Sequence, residues 1–212
     1  TGEKRSRSLV SFLKENKGLI GATEDQLDGL KLFADYKNPD GNLSFVEYNQ
    51  EINGIPVFRG EVKAAFTRNG ELIRVINNFA PGLDYSQLSA DFKSPDNAVA
   101  AAAAFINHEL KPGELSRNAA RSDDLKIAYG DGDFSTTAEK MYFPTEPGVA
   151  VPAWRVLIWL PVRAFYVVVD AESGAMLWRK NITEDQTQSS TYDVYTNPNA
   201  MINVADSPAP LG

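Results

Sequence analysis

The order of apolar positions along the chain switches twice from a helical period to an alternating one. Leu9, Phe12 and Leu13 recur at i, i+3 and i+4 after a serine-rich start at Ser6 and Ser8, which predicts a helix ended by Gly18 and Gly21. Thr23-Glu24-Asp25-Gln26 reads as a capping box, in which Thr23 and Gln26 satisfy each other's backbone amides, opening a short second helix toward Leu30. Alternation then takes over. Extended segments are predicted over 43–53, 55–68 and 71–79, with Val62, Ala64 and Phe66 on one face and Lys63 and Thr67 on the other. Asn53-Gly54 and Asn69-Gly70 join them, because both central residues of a type I′ hairpin turn need positive φ.

The same order returns after a polar stretch from Pro81 to Ser94. Ser94 as cap, Pro95 in the first turn and Asp96 at the positive end of the dipole predict a helix start. Val99, Ala102, Ala103, Ile106 and Leu110 mark its buried face, and Pro112-Gly113 ends it. Strands are expected over 124–129, 138–143, 151–160, 163–170 and 175–182, the last after a turn at Glu172-Ser173-Gly174. From Thr183 the composition turns to Thr, Ser, Gln, Asn, Asp and Pro. That reads as a linker, broken by one short alternating stretch, Tyr192-Asp193-Val194-Tyr195. The expected fold class is α+β, two cystatin-like units, each a helix packed on an antiparallel meander. The expected division is 1–83, 84–182 and a linker over 183–212, whose proline-rich end implies that more sequence follows.

A chain of 212 residues with 43% hydrophobic content can bury one large core or two small ones. Its net charge of -7 and scattered basic residues argue against nucleic acid, since phosphate binding needs clustered Lys and Arg. The exception, Lys4-Arg5-Ser6-Arg7, reads as a solvated helix start. With no cysteine, disulfide and thiolate chemistry are excluded. No apolar run reaches the roughly 18–20 residues that span a bilayer, and a start at Thr1 is compatible with removal of an export signal.

The one histidine, His108, precedes Glu109, yet the second histidine of a His-Glu-x-x-His zinc helix would fall at Pro112. His108 is therefore expected to be a partly exposed helix residue, and no nucleophile elbow offers it a partner. Gly130-Asp131-Gly132-Asp133 lacks the Lys and Ser or Thr of a phosphate loop and reads as a surface turn. Asn38, Asp40, Asn42, Ser44 and Glu47 fall on the ligand spacing of a calcium loop with Gly41 at its bend. Tyr36 occupies the first ligand position, and Asn53-Gly54-Ile55-Pro56 interrupts the exit helix, so a hairpin turn between two strands is the expected structure there.

Two stretches carry a family resemblance. The run from Phe45 to Val62, with Gln50 followed by Gly54-Ile55-Pro56-Val57-Phe58, resembles the fungalysin/thermolysin propeptide motif, and with its preceding helices the likeness spans about 6–82. The run from Phe165 to Leu177, in which Asp170 and Gly174 bracket a turn, resembles the terminal hairpin of PepSY-type modules, over about 94–182. The resemblance implies the pro-region of a secreted fungalysin-type zinc metalloprotease. Such a pro-region is not itself an enzyme. It assists folding of the catalytic domain and inhibits it, with that domain as partner and with neither nucleic acid nor membrane involved. No cofactor is implied in this chain, since zinc belongs to the absent catalytic domain. Thr183, Gln186, Gln188, Tyr192, Val194 and Tyr195 are the candidates for a cleaved linker or a contact with the protease cleft. A free-standing secreted inhibitor or binding module, and a calcium-binding module at the Asp40 loop, are the alternatives.

Overall fold

A computed structural model describes residues 2–183, with side chains from Lys4 onward. The linker candidates Gln186, Gln188, Tyr192, Val194 and Tyr195 lie outside the described residues. Helices α1 (Gly2–Glu15), α2 (Lys17–Ile20) and α3 (Glu24–Asp28) precede strands β1 (Lys31–Lys37), β2 (Leu43–Ile52), β3 (Ile55–Thr67) and β4 (Leu72–Asn77). After α4 (Pro95–Phe105) and a 3-10 turn at Ala119–Arg121 come β5 (Lys126–Tyr129), β6 (Thr136–Glu146), β7 (Val149–Trp159), β8 (Ala164–Asp170) and β9 (Met176–Asn181). The class is α+β, with few helices and a large, mostly antiparallel sheet.

All nine described strands lie in one sheet, in the order β1-β2-β3-β6-β7-β8-β9, with β4 on β3 and β5 on β6. The junction is strand β3, which is long enough to hold two partners on the same side. Its second half pairs antiparallel with β4, and its first half meets β6 in parallel at Val57 and Tyr142.

Each half buries one helix on this sheet. Leu9 and Leu13 of α1 are fully buried against Val46, Tyr48, Val62, Ala64 and Phe66. Val99, Ala102 and Ala103 of α4 are buried with Trp154, Val156, Ile158, Val167 and Val169, and Ile52 and Val57 of the first half complete that core. Along β2 the buried positions alternate without a break through Val46, Tyr48, Gln50 and Ile52. Because alternate residues of a strand share a face, the α1 and α4 cores lie on the same side of the sheet.

Local chemistry accounts for most boundaries. The Thr23–Gln26 capping box forms, and Gly21 closes α2 in the left-handed region at φ 75°. Asn53 at φ 53° and Gly54 at φ 80° make the expected primed hairpin. Asn38 to Asn42 is a turn between β1 and β2, in which the Asn38 side-chain oxygen accepts from the Leu43 N–H at 3.0 Å. Four expectations shift. At Asn69-Gly70 only Gly70 has positive φ, at 87°, so the β3–β4 turn is not the primed type expected there. Gly18 lies inside α2 rather than ending a helix. Ser94 stands at the cap of α4 but its side chain makes no capping bond. The helix ends at Phe105, not Leu110, because Asn107 turns left-handed at φ 54°, which places His108 beyond the helix with its Nε2 3.3 Å from Glu114 Oε1.

Candidate functional site

The residues of the sequence motifs separate into joints and surface. Gln50 is a joint: its side chain is fully buried, its Oε1 accepts from the Ala80 N–H at 2.9 Å, and its Nε2 donates to the Ala80 carbonyl and to the Tyr85 hydroxyl. One amide thus satisfies both backbone groups of a buried residue in the connection between the halves. The same connection is held at Leu83 by Gln26, and at Pro81 and Gly82 by the backbones of Gly148 and Gly21. Asp170 and Gly174 are joints too. The Asp170 carboxylate accepts from the backbone of Glu172 and Ser173 and from the Ser173 hydroxyl, while Gly174, at φ 70°, donates to the Asp170 carbonyl. Gly54 turns the β2–β3 hairpin, Ile55 and Pro56 open β3, and Val57 is buried at the junction with β6. Thr183 is the last described residue, just past β9.

Phe58 is different. It points to the side of the sheet that carries no helix, where its ring stacks on Phe143 at 4.9 Å and meets Trp178 at 5.2 Å between centroids. Beneath them Met141, Ala153 and Val168 are buried, although no described element covers that face. The helix-free face continues across the first half through Tyr36 stacked on Phe45 at 5.2 Å and through Ile76, with Tyr36 55% exposed. An antiparallel sheet with one wet face normally presents polar residues there. This one presents a band of aromatics among charged side chains.

Most of the charges on the band are paired. Glu139 pairs with Arg155 and, at 2.9 Å, with Lys126. Burial pushes its carboxyl up, but Lys126 and Arg155 outweigh that and hold it below the ordinary carboxylate range. The Arg155 guanidinium lies 5.2 Å from the Tyr166 ring, and Lys63 sits between Glu47 and Glu61. Between the two halves the face opens into a cleft of about 430 Å³, lined by Phe33, Asn49, Phe58, Arg59, Arg155 and Trp178 among others.

At this cleft the register of β3 breaks. Asn49 faces Glu61, yet Glu51 faces Pro56, so two steps on β2 answer five on β3. Gly60 fills the bend because a Cβ there would lie 2.8 Å from Gln50 Oε1 and 3.0 Å from Val57 Cβ. The bend is therefore built from Gln50 and the Gly54-to-Phe58 run together.

Residues 28–79 match the family model of the Fungalysin/Thermolysin Propeptide Motif.

The propeptide motif reaches from the end of α3 to the residues after β4, so it contains Gln50 but not its partners Ala80 and Tyr85, together with the primed hairpin, the bend of β3 and the first half of the aromatic face. The matching family is one of propeptides, not of peptidase domains. No curated protein matches the chain. Among solved structures, the Bacillus megaterium YpeB C-terminal domain aligns over 87% of this chain and 66% of its own, slightly under two thirds, at 10% identity and a TM-score of 0.34. A protein described as a lipoprotein from Clostridium difficile 630 aligns over 74% of this chain and 86% of its own, at 11% identity and a TM-score of 0.24.

Among the described residues no three His, Cys, Asp or Glu side chains come together as a metal site, and no helix is long and apolar enough to cross a membrane. The sequence motifs spanned Phe45, Phe58, Arg59 and Tyr166 of the aromatic band without marking them as a surface. Phe143, Arg155 and Trp178 lay outside those motifs and carried no local signal of a shared face.

Proposed function

We propose that this chain is the pro-region of a secreted zinc metalloprotease of the fungalysin/thermolysin type, and that it acts on the catalytic domain as folding assistant and inhibitor. The observation that carries this reading is the propeptide motif over 28–79. The helix-free face is the docking surface: it supports a protein partner by its aromatics, its arginines and its concavity at the β3 bend.

The physical logic runs through tethering. A catalytic domain rich in non-local contacts folds slowly, and a preformed sheet face that binds its native-like surface lowers the barrier. Linked through the Thr183 segment, the two domains meet at an effective concentration of about a millimolar, so modest intrinsic affinity keeps the protease covered. Cutting the linker removes that advantage. Zinc and the catalytic groups belong to the other domain, and this chain contributes surface only.

A face is favoured over strand pairing at an edge. Edge strand β9 carries exposed Arg179 and Lys180, which discourage addition of another strand. A free-standing secreted inhibitor would use the same face, and the reading frame after Gly212 separates the two: a downstream His-Glu-x-x-His domain supports the pro-region.

The decisive experiment adds the purified chain in trans to that catalytic domain. The expected result is inhibition with a constant from about 1 nM to about 1 μM and a raised yield when the denatured catalytic domain is refolded with the chain present. A folded chain that neither slows the protease nor aids its refolding at about 100 μM defeats the proposal.

A further inference from the structure

The cleft at the β3 bend contains one residue whose backbone and side chain both depart from what folding alone favours. Arg59 lies inside strand β3 at φ 54°, in the left-handed region where a Cβ is strained and where bulges of this kind ordinarily use glycine. Its neighbour is a glycine, but Gly60 is required for the close approach of Gln50 and does not relieve residue 59. The Arg59 side chain is exposed, and its guanidinium carbon lies 5.3 Å from the Phe58 ring centroid and 5.1 Å from that of Trp178. The cations beside it are occupied: Arg155 and Lys126 by Glu139, Lys63 by Glu47 and Glu61. Arg59 makes no ion pair or hydrogen bond to any described residue, so its N–H fork is open on an aromatic platform in a concave site.

Resting on the pro-region reading, we infer that Arg59 is the anchor of the docking face and receives an aspartate or glutamate side chain from the surface of the catalytic domain. Two aromatic rings hold the guanidinium in place, so less side-chain freedom is lost when its fork binds a carboxylate in bidentate fashion. The chain's net charge of -7 disfavours a polyanion, whereas a single carboxylate aimed at the one uncompensated cation of the cleft is locally complementary. Strain retained at a residue that packs no core is the pattern of a binding position.

The test measures thermal unfolding of the chain and inhibition of the catalytic domain for wild type, Arg59→Gly and Arg59→Lys, at low and high salt. Arg59→Gly is expected to melt at or above the wild-type temperature, because glycine accepts this backbone, while inhibition weakens by about 10-fold or more. Its inhibition also loses most of the salt dependence seen with wild type. Arg59→Lys keeps the charge without the planar fork and is expected to fall between the two. Arg59→Gly that inhibits within about threefold of wild type overturns the assignment, as does one whose weaker inhibition follows a lowered melting temperature. A wild-type chain that leaves the protease untouched defeats the pro-region reading and this inference with it, whereas strong wild-type inhibition matched by Arg59→Gly defeats this inference alone.

Discussion

Gln50 holds more of this structure than its polarity suggests. It is as buried as the leucines of α1, and it is tolerated there only because every polar atom of its amide meets a partner on Ala80 or Tyr85. Gln50→Ala leaves the Ala80 N–H and carbonyl buried and unpaired, and is expected to cost about 2–4 kcal/mol in chemical denaturation. Gly60→Ala meets the same side chain from the other strand and is expected to cost about 1–3 kcal/mol, with a smaller penalty in a Gln50→Ala background because the obstructing amide is gone. Glu139 sets a pH dependence. Its folded pKa lies below the unfolded value, so its contribution to stability is complete above the ordinary carboxylate range and fades as pH falls through the lower folded value. Denaturation midpoints taken between about pH 6 and pH 3 should fall, and Glu139→Gln should flatten part of that fall.

At the scale of elements, the β2–β3 hairpin and helix α3 show where local chemistry suffices. The Asn53-Gly54 turn is fully specified by two residues able to hold positive φ, and Gly54→Ala is expected to cost about 1 kcal/mol, read by thermal unfolding. The Thr23–Gln26 box likewise needs nothing beyond its own four residues, so Thr23→Ala should remove about 1 kcal/mol through the loss of one capping bond. Helix α4 shows the limit. Its apolar spacing runs on through Ile106 to Leu110, but the chain leaves the helix at Phe105 because Asn107 turns left-handed. Periodicity reports which residues are apolar, and Ile106 and Leu110 do pack on the core, from outside the helix.

Among the described residues, helices α1 and α4 pack on one side of a single sheet whose other side carries aromatics. If that side docks a partner, truncating it should damage binding more than folding. Trp178→Ala is expected to weaken inhibition of the catalytic domain by about 10-fold or more while the chain stays cooperatively folded, as read by enzyme kinetics beside a melting curve. Loss of folding in parallel with inhibition would mark the ring as core instead.

The sequence by itself determined the α+β class, the main run of helices and strands, the Asn53-Gly54 turn and the propeptide motif. Each of these rests on residues close together in the chain, where strand alternation, helical spacing and the φ a turn demands act locally. Only the tertiary structure decided that β3 joins β6 and so continues one half of the sheet into the other, that Gln50 clamps the connection at Ala80, and that Phe58 and Arg59 meet Phe143 and Trp178. Those contacts join segments far apart in sequence, and a two-residue strand period says which residues share a face without saying what another strand will bring to it.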